Sequence, residues 1–254
     1  METQKTIEFR HATFRLPTGR ALIENLSLEV CQGETLVLLG RSGSGKTTTM
    51  KLINRLIDPT EGEVRVEGKS NFEWDPIKLR RRIGYVIQEI GLFPHFTVAD
   101  NIGIVPRLEG WAPERIAARS RELLEMVGLD PGNFAGRFPR ELSGGQRQRV
   151  GVARALAADP PVILLDEPFG ALDPITRRDL QAEFRRLQTR LKKTMIFVTH
   201  DVREAFVLAS RIGLVKDGKM VVLGPPAALL ESDDSEARAF MQCFNDGEAP
   251  GSVT

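Results

Sequence analysis

The stretch "TLVLLGRSGSGKTTTMKLI", Thr35 to Ile53, decides the fold. Its first part, "TLVLLG", is a continuous apolar run closed by glycine, as expected of a strand buried on both faces. Its last part continues as "GKTTTMKLINRL", Gly45 to Leu56, which reads as a helix with Met50, Ile53 and Leu56 on one side. Between them lies G-x-x-x-x-G-K-[ST], with Gly40, Gly45, Lys46 and Thr47 in the fixed places. Only backbone N–H groups surround two phosphates closely enough, so such a loop needs glycine. The lysine neutralises the β and γ phosphates and the hydroxyl reaches a magnesium ion. Gly40, Arg41, Ser42, Gly43, Ser44, Gly45, Lys46, Thr47 and Thr48 are therefore the expected nucleotide cradle, with ATP and Mg2+ as its ligands.

Outward from this stretch, strand and helix patterns alternate. Ile7, Phe9, Leu22, Leu26, Leu28 and Val30 alternate with polar residues, as in a sheet with one exposed face. "GEVRVEGK" reads as a strand ending in a turn, and "RIGYVIQ" as another buried strand. From about Gly91 to Arg154 the patterns turn helical: "TVADNIGIV", "APERIAARSRELLEMVGL" and "GGQRQRVGVARALAA". The alternation then returns, through "PVILLDE", "DPITRRDLQAEFRRLQTRLKK", "TMIFVTH" and "DVREAFVLAS". "RIGLVKDGKMVVLG" is a hairpin with Asp-Gly at its turn. Two short helices are expected near the end, followed by a frayed tail. The expected organisation is α/β: a catalytic core over 1–90 and 155–225 with an antiparallel N-terminal β-subdomain, a helical insertion over 91–154, and a short helical extension over 226–254.

"VILLDEP", Val162 to Pro168, carries two acids to the carboxyl end of a strand, where open α/β sheets bind ligands. Asp166 is placed for the magnesium shell. Glu167 is placed to orient and deprotonate a water for attack on a γ-phosphate. The plain alternative is a pair of acids at a helix start. Gln88 follows "GYVI" and His200 follows "IFVT", at the same kind of strand end. Singly each reads as a turn residue. Together they add an amide for magnesium or the attacking water and an imidazole for the γ-phosphate. His11 and His95 have no comparable setting.

A second anion-binding helix start appears in "LSGGQRQRVG", Leu142 to Gly151. Ser143 is placed to cap the helix, and Gly144, Gly145 and Gln146 open it. It lies in the helical insertion, far along the chain from Lys46. A rigid insertion would not reach its own nucleotide, whereas a second copy arranged head-to-tail would present it to the first copy's γ-phosphate.

Composition bounds the rest. The chain has 254 residues, 41% hydrophobic and 27% charged, ample for a buried core. A net charge of +1 gives no reason to expect a nucleic-acid partner, so Arg137, Arg140, Arg147, Arg149 and Arg154 read as a solvated helix face and signature-helix contacts. Cys31 and Cys243 lack metal-ligand spacing and point to a reduced compartment. No apolar run approaches the roughly 20 residues that cross a bilayer, and the N-terminus has no leader pattern. The expectation is a soluble subunit, with any membrane span provided by another chain.

At these residues the chain resembles the ATP-binding subunit of an ABC transporter, over about residues 7 to 225. "LSGGQ" is that family's signature. "GRSGSGKT", Gln88, "VILLDEP", "GALD" with Asp173, and "VTH" with His200 match its other motifs in order. The resemblance implies ATP hydrolysis in a nucleotide-sandwiched dimer that drives a membrane permease, on the cytoplasmic face of the cell membrane, fed by a substrate-binding protein. The family usually stacks adenine on an aromatic residue where this chain has Leu16. Phe14, two residues earlier on the same strand face, is the possible substitute.

"RRIGYVIQEIGLFPHFTVADNIGIVPRLEGW" and "PFGALDPITRRDLQAEFRRLQ" are similar to the importers of osmoprotectants: glycine betaine, choline and carnitine. An importer of another small polar solute, such as an amino acid, is the alternative. A soluble ABC ATPase of translation or repair would need two cassettes or a long coiled-coil insertion. Many osmoprotectant subunits continue into paired cystathionine-synthase-type domains, and none is expected in the sequence up to Thr254. Leu92, Phe93 and Phe96, in a loop rich in Gly and Pro, are the expected permease contact, with filling of the insertion's own core as the plain alternative.

Overall fold

A computed structural model describes residues 4–88, 91–170 and 172–246. They form two compact units, one from residues up to Asn71 joined by those from Ile196 on, the other Phe72–Met195.

In the first unit, β1 (Lys5–Arg15) pairs antiparallel with β2 (Ala21–Cys31) and with β4 (Glu61–Val66), and β5 (Lys69–Ser70) completes the order β2-β1-β4-β5. Phe9 stands opposite Leu28 on one side and Val64 on the other, and all three are buried. The period-2 pattern is thus the inner face of this sheet. The turn into β5 uses Glu67 and Gly68 at φ 51 and 78, the left-handed pair of a tight hairpin. β3 (Thr35–Leu39), buried at every residue, runs parallel to β9 (Arg211–Lys216). β9 folds back into β10 (Lys219–Gly224) through Asp217 and Gly218, at φ 49 and 78. The helices here are α1 (Lys46–Ile53), α8 (Val202–Leu208), α9 (Pro226–Leu230) and α10 (Ser235–Asp246).

α1 is shorter than its pattern. Asn54 caps it and Arg55 turns left-handed at φ 52, so Leu56 leaves the helix and is 49% exposed. Leu16 also differs from expectation. β1 ends at Arg15, and Leu16 sits in the turn beyond, where its N–H donates to Arg20 O at 2.9 Å.

In the second unit, β6 (Ile83–Val86) runs parallel to β7 (Val162–Asp166), with Val86 opposite Leu165. Between these strands in the chain come α3 (Val98–Leu108), α4 (Pro113–Met126), α5 (Pro131–Phe134) and α6 (Gly144–Leu156), the helical insertion. α6 packs so closely on β6 that a Cβ at Gly84 would stand 2.4 Å from Ala155 O. α2 (Pro76–Arg81) precedes β6 and α7 (Pro174–Leu191) follows β7. β8 (Thr194–Thr199), buried throughout, crosses from the second unit into the first. This is the α/β architecture of P-loop NTPases. Among the described residues no helix is long and apolar enough to cross a membrane.

Candidate functional site

The phosphate loop lies in the first unit. α1 starts at Lys46 after Gly45, which has φ 110 and provides no side-chain cap. The N–H groups of its first turn are the donors that an anion satisfies. Lys46 is 4% exposed, and its Nζ donates to Gly40 O and Arg41 O, both at 2.8 Å. The ammonium is therefore held beneath the loop by the loop's own carbonyls. Two glycines are required by close approach as well as by φ. A Cβ at Gly40 would stand 2.3 Å from Val215 O, and one at Gly45 would stand 2.6 Å from Leu22 O. Ser44 Oγ is buried and has no hydrogen-bond partner among the described residues, the condition of a donor that awaits a ligand oxygen. Arg41, Ser42 and Gly43 are exposed, and Thr47 and Thr48 are half-buried.

The hairpin tip braces this loop. Gly218 N–H donates to Ser44 O at 2.9 Å, and Glu24 N–H donates to Gly218 O at 3.0 Å. A Cβ at Gly218 would stand 2.7 Å from Leu22 O. Nothing in the local pattern marks Gly218 as a neighbour of the loop. Its Asp-Gly turn signals a hairpin and no more.

The carboxylates lie in the second unit. β7 delivers Asp166, 4% exposed, to its carboxyl end, where Tyr85 Oη donates to Asp166 Oδ2 at 3.4 Å. Burial, with the Asp166 carboxylate beside it, raises the Tyr85 pKa well above the usual phenol value. Glu167 turns the chain in the left-handed region at φ 45, and Gly170 N–H donates to Glu167 O at 3.1 Å. Gln88, exposed beyond β6, reaches across so that its Nε2 donates to Glu167 Oε2 at 3.3 Å. Parallel pairing of β6 and β7 brings the two strand-end residues together. Among the described residues no group of three or more His, Cys, Asp or Glu is placed to hold a metal.

The third component is the start of α6. Exposed Ser143 accepts from Gln146 N–H at 3.2 Å, while Ser143 N–H donates to Gln146 Oε1 at 2.9 Å. The reciprocal cap leaves the hydroxyl proton of Ser143 available to an anion. Gly145 is pressed against α7, where a Cβ would stand 2.8 Å from Thr176 Cγ2. α7 in turn is capped by Asp173, whose Oδ1 accepts from Thr176 N–H at 3.0 Å. That backbone bond holds the Asp173 carboxyl below the usual carboxylate range.

Residues 23–170 match the family profile described as ABC transporter.

The chain belongs to the ABC transporter family.

It is 53% identical over 218 residues to the glycine betaine/carnitine/choline transport ATP-binding protein OpuCA of Bacillus subtilis, covering 86% of this chain and 57% of that one. It is 49% identical over 224 residues to the glycine betaine uptake system ATP-binding protein YehX of Escherichia coli, covering 88% of this chain and 72% of that one. The chain thus spans a little over half the length of several of its curated ABC relatives, 57% of OpuCA. Among solved structures, the ATP-binding cassette MJ0796, in a dimeric post-hydrolysis state bound to ADP and Pi, superposes with a TM-score of 0.77. It is 33% identical, over 87% of this chain and 98% of that one.

The remaining ABC motif residues are placed as follows. His200 is exposed, directly after β8, in the first unit. Phe14 is half-buried on β1 opposite Ile23, and Leu16 lies off that strand. Leu92 and Phe96 are half-buried and Phe93 is 41% exposed. This loop is rigidly tied. Asn101, fully buried on α3, accepts from Phe93 N–H at 2.8 Å and donates to Phe93 O, Phe96 O and Thr97 O at 3.0–3.2 Å. Glu89, Ile90 and Ala171 lie outside the described residues. The insertion's arginines are internally engaged: Arg147 with Leu142 O, Arg149 with Val127 O and Glu183, Arg154 with Gly91 O, Arg137 with Asn133 O and over Phe134. Arg140 lies over the Phe138 ring.

Proposed function

We propose that this chain is the ATP-hydrolysing subunit of a membrane importer for osmoprotectants of the quaternary-amine class: glycine betaine, choline or carnitine. The observation that carries the nucleotide part is Lys46, a buried ammonium held on Gly40 O and Arg41 O under a glycine loop at the uncapped start of α1. The similarity to OpuCA and YehX supports the solute class.

In this reading residues 40–48 wrap the phosphates of ATP, and the orphaned Ser44 Oγ finds its partner there. Lys46 exchanges a loop carbonyl for a phosphate oxygen. Glu167 takes the proton of the attacking water, Gln88 orients that water, and His200 meets the γ-phosphate. The hydroxyl, amide and carboxylate oxygens of Thr47, Gln88 and Asp166 suit magnesium, which takes few protein ligands and shares the phosphates. When bound, that ion supplies neutralisation of phosphate charge. Ser143, Gly144, Gly145 and Gln146 act on the nucleotide of a second copy, arranged head-to-tail. The dimeric state named for MJ0796 supports that arrangement. Phe14 is the residue offered to adenine. Segment 91–154 is the signature lobe, and its loop at Leu92, Phe93 and Phe96 is the contact for transmembrane permease subunits. The subunit sits at the cytoplasmic face of the membrane and acts indirectly with a substrate-binding protein. No nucleic acid takes part.

The test is reconstitution with the neighbouring membrane subunits in proteoliposomes. Betaine or choline should stimulate magnesium-dependent ATP hydrolysis. Phe93→Asp should abolish the stimulation while the isolated subunit keeps its basal rate. Stimulation by an amino acid or a sugar alone would overturn the solute class, and absence of ATP hydrolysis would overturn the ATPase reading.

A further inference from the structure

Glu236 is a buried acid on a helix that no motif accounts for. It is the second residue of α10, with a side chain 9% exposed, and its Oε1 accepts from Arg41 Nε at 2.5 Å. Arg41 stands inside the phosphate loop, 195 residues earlier in the chain. The same Arg41 offers its backbone O to Lys46 Nζ at 2.8 Å. One continuous set of contacts therefore runs from the C-terminal helix to the ammonium of the loop, all within the first unit.

We propose that Glu236 is a positioning residue for the phosphate loop: through Arg41 it holds the exposed first half of the loop in the shape that receives nucleotide. The proposal rests on the reading of that loop as an ATP site. The loop's second half is pinned by Gly218 N–H on Ser44 O and by the close fit of Gly45 against Leu22. Its first half, Arg41 to Gly43, is exposed. A loop that must be ordered on binding costs affinity, and a tether that orders it beforehand recovers that loss.

The pair is built for this task rather than for surface decoration. An ion pair between two exposed groups is worth little. Here one member is buried, and a buried carboxylate is stable only with a partner. Glu236 also sits in the first turn of α10, where the helix dipole favours an anion. The helix itself is firmly docked. Asp234 Oδ1 accepts from Glu236 N–H at 2.8 Å, Ala237 is fully buried, and the Phe244 ring stacks on Phe206 of α8 at 5.1 Å. The tether is thus anchored on a fixed element, and displacement of α10 is felt at the loop.

The experiment measures ATP affinity and steady-state hydrolysis on the full chain for wild type, Glu236→Gln, Arg41→Met and the double variant, with thermal melting as the control. Each single change should raise the Kd and KM for ATP by about fivefold, the low end of coupling between sites, and Glu236→Gln should leave kcat at saturating ATP unchanged. The double variant should lose no more than the weaker-binding single, because both remove one contact. Arg41→Met, at an exposed position, carries the test if Glu236→Gln fails to fold. A lowered melting temperature with unaltered Kd, a loss confined to kcat, additive losses or tighter binding would each overturn the proposal. Wild-type protein that binds no ATP would instead remove the ATP reading, and this inference with it.

Discussion

Gln88 Nε2 stands 3.3 Å from Glu167 Oε2, although 79 residues separate them in the chain. The contact exists because β6 and β7 run parallel and in register up to Val86 and Leu165. An amide from one strand end thereby orients a carboxylate from the next.

Glu167→Gln is expected to keep ATP affinity and to lower turnover by about a hundredfold or more, the worth of a general base. The φ of 45 at this position burdens glutamate and glutamine alike, so the comparison isolates the carboxylate. The variant should collect as an ATP-bound dimer in gel filtration. Near-normal turnover would remove Glu167 from the base role.

Lys46→Ala removes a buried ammonium and leaves phosphate charge uncompensated. Charge-assisted hydrogen bonds of this kind predict a loss of ATP affinity of about tenfold to a hundredfold. Calorimetric titration with ATP measures it, and an unchanged Kd would refute the assignment.

If, as proposed, Ser143 serves the partner's nucleotide, Ser143→Arg should stop hydrolysis while leaving ATP binding by the monomer unchanged. Loss of the cap alone costs about 1 kcal/mol, so Ser143→Ala is the control for helix fraying. Mixing Ser143→Arg with Lys46→Ala protein should restore part of the activity, because one of the two shared sites is then intact. If mixtures stay inactive, crosslinking of nucleotide to the Ser143 loop of the opposite chain decides between coupled sites and a wrong model.

Gly145→Ala places a methyl group 2.8 Å from Thr176 Cγ2. Overpacking of this kind costs about 1–3 kcal/mol, which lowers the melting temperature by about 2–4 °C for each kcal/mol. Thr176→Ser removes the opposing methyl group and should restore stability in the double variant. A double variant as unstable as the single would place the strain elsewhere.

Tyr85 is the single tyrosine of the chain, so tyrosinate absorbance reports it alone. Burial and the Asp166 carboxylate raise its pKa in the fold. In the unfolded chain it ionises near the usual value of about 10. Below that value both states hold the proton, and the contribution to stability is complete. Above it the unfolded state releases the proton first, and the contribution falls as pH rises toward the folded-state pKa. Native protein should form phenolate only at higher pH than urea-unfolded protein, which should titrate near the usual value of about 10. Tyr85→Phe should flatten the alkaline limb of stability against pH. A native titration near 10 would contradict the burial.

What was legible in the sequence followed from local rules. The loop Gly40 to Thr48, the strand ending at Asp166, the Ser143 cap and the Asp217–Gly218 hairpin each depend on residues within a few positions of one another. α2 is not legible in the pattern although Asp75 and Pro76 mark a helix start, because its six residues are too few to display a period. Leu16 and Leu56 were misplaced for a related reason. Periodicity continues past a strand or helix end until a turn residue stops it, and Arg55 at φ 52 carries no turn signal. Tyr85 beneath Asp166, Gly218 against Ser44 and Glu236 on Arg41 are contacts of tertiary origin, with nothing in their neighbourhoods to announce them.

The brace on Ser44 sets an order of events at the ribosome. The loop that begins at Gly40 takes its support from Gly218 N–H, a group synthesised about 180 residues later, or about 9–36 s at the usual pace of translation. During that interval the nascent chain presents its lysine and glycines without the backing that shapes them. The backing of Ser44 therefore arrives late, when the last hairpin emerges, and the Glu236 contact on Arg41 arrives later still. A chain abandoned before that point lacks the Gly218 brace on Ser44.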